Sequence, residues 1–169
     1  MNKADLIFNI TEGSLTGSLD GEYFNSRACS GGRGGSKEKN AEIYFLKNNP
    51  FSATVKGPDD LKKHPKDARV GGTLPLGFYS LHTHSKKDHI RVNPLPGTGT
   101  HGRNAFLIHG RGRRGSDGCI VPADFHLVQR LYAVLLKREK KSAVDAPVLE
   151  VVAIGADVDR KLREWRSIA

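Results

Sequence analysis

The chain has 169 residues, which suits one domain with a proper core. Its 27 basic and 18 acidic residues leave a formal charge of +9, so an acidic partner is expected, nucleic acid being the generic one. No apolar run approaches the roughly 20 residues of a membrane span, and Met1 to Asp5 leads into no signal-peptide core; a chain made in the cytoplasm is the expectation. Residues 6–10 and 14–19 read as an opening hairpin around Glu12-Gly13, and Tyr23-Phe24 starts a third strand that ends before Cys29. Ser30 to Ser36 is glycine-rich without the Lys-Ser/Thr order of a phosphate loop, so a mobile surface loop is expected.

Lys37 to Arg69 is polar and interrupted by Pro50, Pro58 and Pro65, which predicts short turns over the surface. Phe78 to His82 alternates as a strand and His89 to Val92 can pair with it, while Asn93 to Gly102 is a turn-dense connection. Phe106 to His109 is short and almost wholly apolar, which predicts a central strand. After Pro122 the period changes: Phe125, Val128, Leu131, Tyr132 and Leu135 form one stripe of an amphipathic helix. Pro122 suits its first turn, and Lys137, Arg138, Lys140 and Lys141 its last. Residues 148–154 read as a strand, and Asp157 as the cap of a last helix with Val158, Leu162, Trp165 and Ile168 on one side. The expectation is one domain over residues 1–154 with a helical extension over 155–169.

The chemistry concentrates between Phe106 and Ile120. An apolar run ends in His109-Gly110, a short Arg/Gly loop follows, and Ser116-Asp117-Gly118-Cys119-Ile120 closes it. The thiolate is the nucleophilic form of cysteine, and a thiol of pKa near ~8.5 is only a few per cent ionised at neutral pH. A neighbouring imidazole can take its proton and hold the thiolate as an ion pair. Glycine lets the backbone turn sharply, so consecutive N–H groups can converge on an oxyanion. Cys119 is the expected nucleophile and His109 its base. Cys29 and Cys119 could pair, but that would cap the nucleophile, so free thiols are expected, with Cys29 a small buried residue.

These residues resemble the signature of the L,D-transpeptidase (YkuD-like) family, in which a histidine precedes a Ser-x-Gly-Cys segment. The short gap and the Cys-Ile-Val continuation are most similar to the branch of type VI secretion effectors that attack peptidoglycan. Gly72 to Tyr79 resembles the Pro-x-Gly-x-Tyr strand entry of these domains, and Ala28-Cys29-Ser30-Gly31 their Ser-Gly turn. The resemblance spans roughly residues 5 to 153. It implies a mostly β fold, a sandwich or half-barrel, to which the residue pattern adds the amphipathic helix after the cysteine and, beyond the resemblance, the C-terminal helix. It implies that the Gly110 carbonyl orients His109 and that the N–H groups of Asp117, Gly118 and Cys119 form an oxyanion hole. It also implies acyl transfer on peptidoglycan stem peptides without metal or cofactor, in the periplasm of a target bacterium. A secretion apparatus and a cognate immunity protein are the implied partners.

The chain departs from cross-linking members at two places, with Asp117 where a histidine is usual and Val121-Pro122 where an arginine is usual. Cleavage and D-amino-acid exchange are therefore expected ahead of cross-linking. Ser116 is expected to brace the turn through its hydroxyl. Asp117 would raise the thiol's pKa unless it points outward or pairs with Arg113 or Arg114. Arg111, Arg113 and Arg114 either form a solvated loop or clamp a stem carboxylate. Tyr79 and His101 are expected to line the cleft. His82, His84 and His89 suggest a zinc peptidase, but no acidic partner stands at ligand spacing and Lys86 and Lys87 would repel a cation. A basic nucleic-acid-binding domain is the non-enzymatic rival; it leaves the His109–Cys119 loop without a purpose, so no nucleic acid is expected.

Overall fold

A computed structural model of the chain describes residues 3–33, 41–62, 70–110, 116–141 and 145–169. Strands β1 (Leu6–Asn9), β2 (Ser14–Leu19) and β3 (Glu22–Cys29) form an antiparallel meander. β4 (Gly77–Thr83) and β5 (Ile90–Pro94) form a hairpin, followed by the two-residue strands β6 (Leu107–Ile108) and β7 (Val121–Pro122) and by β8 (Val148–Val152). All belong to one eight-stranded sheet of order β6-β5-β4-β8-β1-β2-β3-β7. Its one parallel pair of strands is β8 beside β1, which a crossover from the far end of the chain supplies.

The sheet curls until its outer strands meet. Ile108 bridges Ile120 in the parallel sense, His109 N–H donates to the Ile120 carbonyl at 3.1 Å, and Ile120 N–H to the Leu107 carbonyl at 2.9 Å. The protein is thus mostly β, built on one nearly closed sheet and not on two stacked ones. The Phe106 to His109 run lies at this closing seam, at the end of the strand order, where a central strand was expected. It is apolar because closure buries Phe106 and Ile108.

The concave face carries every second residue of the strands, among them Leu6, Phe8, Leu15, Phe24, Leu81 and Ile90. Helix α2 (Phe125–Glu139) fills the curl with Leu127, Val128, Leu131 and Leu135, each fully or almost fully buried. Each such side chain contributes about 1.5–3 kcal/mol before the entropy of ordering it. Its N-cap is Asp124, whose carboxylate accepts from His126 N–H at 3.0 Å; Pro122 belongs to β7 instead of the first helical turn.

The polar stretch after residue 40 is more ordered than its composition predicts. Helix α1 (Ala41–Tyr44) and two 3-10 turns, Pro50–Thr54 and Pro58–Asp60, place Ile43, Leu46, Val55 and Leu61 in a second cluster with Val70 and Ile168. Helix α3 (Val158–Ile168) completes that cluster with Ile168 and Trp165. Asn49 Nδ2 donates to the Lys161 carbonyl at 2.8 Å, and Lys62 N–H to the Ile168 carbonyl at 3.1 Å. The C-terminal extension therefore packs on the domain. Asp157 stands at the N-cap position without capping it; its carboxylate lies 3.3 Å from Arg160. Among the described residues no helix is long and apolar enough to cross a membrane.

Candidate functional site

The seam brings the two ends of the His109–Cys119 loop together. Ile108 and Ile120 are register partners and both fully buried. Alternation then puts His109 and Cys119 on the opposite face. They are offset by one strand spacing and two residue rises, a Cα separation of about 8 Å. Both are half-buried.

His109 Nδ1 lies 3.3 Å from the Gly110 carbonyl oxygen. Taking Nδ1 as the N–H donor leaves Nε2 free to accept a proton. A side chain at Gly110 would require Phe125 to move, since a Cβ would overlap the edge of its ring. Burial lowers the His109 pKa; the Gly110 contact opposes this, while the charges of His89, Lys86 and Arg33 add to it. Burial also raises the Cys119 thiol, helped by Asp117 and opposed by a backbone hydrogen bond from Leu107 and by Arg103 and Arg33. Desolvation thus disfavours the charged form of both groups, against the ion pair that was expected.

The turn before Cys119 is held by its carbonyls. Arg103 Nη2 donates to the Asp117 carbonyl at 3.1 Å, Ser30 Oγ to the Gly118 carbonyl at 3.2 Å, and Ser116 Oγ to the Cys119 carbonyl. In a trans peptide the N–H points away from the C=O. Arg103 and Ser30 thus fix the Gly118 and Cys119 N–H groups pointing away from their anchors, the arrangement a preorganised oxyanion site would use, while Ser116 holds the next peptide. Gly118 sits at φ +107°, and a Cβ there would lie 2.5 Å from Arg103 Nη2. Ser116 is buried, and its Oγ also accepts from Gly31 N–H at 3.1 Å. Ser30, fully buried, accepts from Leu74 N–H at 2.9 Å. Ser30 to Gly32 are therefore built into the site, whereas a mobile surface loop was expected; Gly34 to Ser36 lie outside the described residues.

Asp117 is exposed and its carboxylate lies 3.6 Å from Arg33. Arg111, Arg113 and Arg114 lie outside the described residues. Tyr79 does not line a cleft: it is fully buried, its hydroxyl donates to the Pro75 carbonyl at 2.7 Å, and its ring stands edge-on to Phe106. His101 is exposed in a turn at φ +55° and lines neither cavity beside the site.

The sequence reading missed Arg103. Its guanidinium donates to the carbonyls of Ala53 (2.7 Å), Thr73 (2.6 Å), Gly72 (2.9 Å) and Asp117 (3.1 Å), and lies 5.4 Å from the centre of the Phe106 ring. An arginine in a turn-dense stretch reads as solvated, and only its position just before the apolar seam strand hinted otherwise.

A cavity of about 620 Å³ adjoins the seam, lined by Glu12, Arg27, Cys29, Lys47, Val121 and Phe125 among others. The register partners Cys29 and Val121 both stand in its wall, and neither His109 nor Cys119 lines it. Cys29 is thus a half-buried wall residue and not a core one; both cysteines are free thiols. A second cavity of about 480 Å³ is bordered by Lys56, Arg103 and Asp117. Among the described residues no group of three His, Cys, Asp or Glu side chains is placed to hold a metal ion, so the zinc reading finds no ligand set there. Comparison with family models, curated proteins and solved structures finds no match.

Proposed function

We propose that the protein is a cysteine acyltransferase of the L,D-transpeptidase kind, acting on peptidoglycan stem tetrapeptides as an L,D-carboxypeptidase and D-amino-acid exchanger. The observation that carries this reading is the seam itself: an imidazole tethered to the Gly110 carbonyl, beside a cysteine whose turn is locked by its carbonyls. His109 Nε2 takes the thiol proton as Cys119 Sγ attacks the carbonyl of the bond before the terminal D-Ala. The oxyanion is received by the Gly118 and Cys119 N–H groups. Collapse breaks the C–N bond, and the D-Ala amine leaves with the proton from His109. Water or a free D-amino acid then attacks the thioester, His109 again taking the proton. A second stem as acceptor would give a 3-3 cross-link, the alternative outcome. Action in a target bacterium's periplasm, after type VI delivery and with an immunity protein in the producer, is supported by the family resemblance alone.

The test incubates wild type and Cys119→Ala with tetrapeptide and pentapeptide muropeptides plus a D-amino acid, and resolves the products by mass. Wild type alone should remove or replace the terminal D-Ala. No change with folded, reduced wild type would overturn the reading.

A further inference from the structure

The β4–β5 hairpin puts a second histidine against the base. Ile90 and Ile108 are antiparallel partners, so the next position pairs His89 with His109 on the site's face. Their rings stack, with centroids 5.7 Å apart and planes 18° from parallel, an offset face-to-face contact. The His89 ring is held from its own turn: its Nδ1 lies 3.0 Å from the Lys87 carbonyl, while the backbone N–H of His89 donates to the Lys86 carbonyl at 3.2 Å. Behind it, the His84 ring lies at 6.2 Å and accepts from Lys86 N–H through Nδ1 at 2.9 Å.

We propose that His89 is a positioning residue of the site, whose ring fixes the plane of the His109 imidazole and whose charge sets how readily His109 accepts a proton. The proposal rests on the reading of His109 as the base. The flat contact restricts rotation about the ring bond that the single Gly110 hydrogen bond leaves soft. The charged and titratable groups acting on His109 are His89, Lys86 and Arg33, and the His89 ring lies between those of His84 and His109, with the Lys87 carbonyl at its Nδ1. A positive charge on the stacked His89 ring, like the charge of Lys86, disfavours protonation of His109. Burial and the charge of His89 act in the same direction on His109, so the base stays neutral to lower pH than an exposed imidazole.

Two substitutions separate the functions: His89→Phe keeps a flat ring and removes the charge, while His89→Ala removes both. At pH 8, kcat for D-Ala exchange should fall about tenfold in His89→Ala with KM unchanged. His89→Phe should restore kcat at that pH, yet its acid limb should move up by about one pH unit. The His109 ring proton, followed by NMR, should show the same upward move of its midpoint in His89→Phe. Should His89→Ala not fold, His89→Gln carries the same comparison. Unchanged kcat at pH 8 in the ring-less variant, or an unmoved His109 midpoint in His89→Phe, overturns the proposal. If wild type turns over no muropeptide, the proposed function fails, while the NMR midpoint still decides the contact between the rings.

Discussion

Removing the Ser30 hydroxyl tests whether the seam is braced as described. Ser30→Ala changes almost no volume but deletes two buried interactions, the bond to the Gly118 carbonyl at 3.2 Å and acceptance from Leu74 N–H at 2.9 Å. The first is worth about 0.5–1.5 kcal/mol, and a buried N–H left unpaired costs about 1–3 kcal/mol. Together they come to about 2–4 kcal/mol, a large part of a typical 5–15 kcal/mol stability. The same change frees the Gly118–Cys119 peptide to rotate, and losing one preorganised oxyanion donor costs about 10²-fold in kcat. Urea unfolding followed through the single tryptophan, Trp165, reads the first effect, and D-Ala exchange by the folded fraction reads the second. Ser26→Ala is the control. Its hydroxyl is also buried and bonded, to the Arg27 carbonyl at 2.7 Å and from Asp124 N–H at 3.1 Å, but it braces the start of α2. It should lower stability and leave kcat within about twofold. Ser30→Ala losing less than about 0.5 kcal/mol, or Ser26→Ala losing as much turnover, would refute the reasoning.

Arg103→Lys cannot serve four carbonyls with one ammonium; it should cost about 2 kcal/mol and lower Tm by about 4–8 °C, read by calorimetry. Gly118→Ala meets both a positive φ and the Arg103 guanidinium, so it should lose about 1–3 kcal/mol on urea unfolding and most exchange activity. Because burial raises the Cys119 thiol above its usual range, iodoacetamide labelling of Cys119 in a Cys29→Ser background should still be accelerating at pH 9; a plateau from pH 7 upward would mean an ion pair at rest. Ile168→Ala should cost about 2–3 kcal/mol, since it opens the second cluster under α3.

What the sequence reveals depends on how local the cause is. The opening hairpin, the β4–β5 pair, β8 and α2 are legible because alternation, turn residues and a 3.6-residue period lie within each segment. That His109-Gly110 and Ser116 to Cys119 meet is foreshadowed by the short loop between them, with glycine at each end. The seam is not legible: β6 and β7 have two residues each, and their meeting depends on how far the whole sheet curls. Ser30 and Gly118 stand 88 residues apart, so nothing local links them. Tyr79 misleads because a tyrosine near a candidate cleft reads as a polar tip, whereas its hydroxyl is spent on the Pro75 carbonyl. Ile43, Leu46, Val55 and Leu61 follow no period, and only α3, docking from the far end, makes them a cluster.

The most direct test of the central claim is the intact mass of the protein, acid-quenched seconds after mixing with a stem tetrapeptide. The account requires an adduct equal to the stem acyl group without its D-Ala, mapped to Cys119 and released by hydroxylamine as a thioester is. Turnover without an adduct on Cys119, or an adduct that persists in Cys119→Ala, would contradict it.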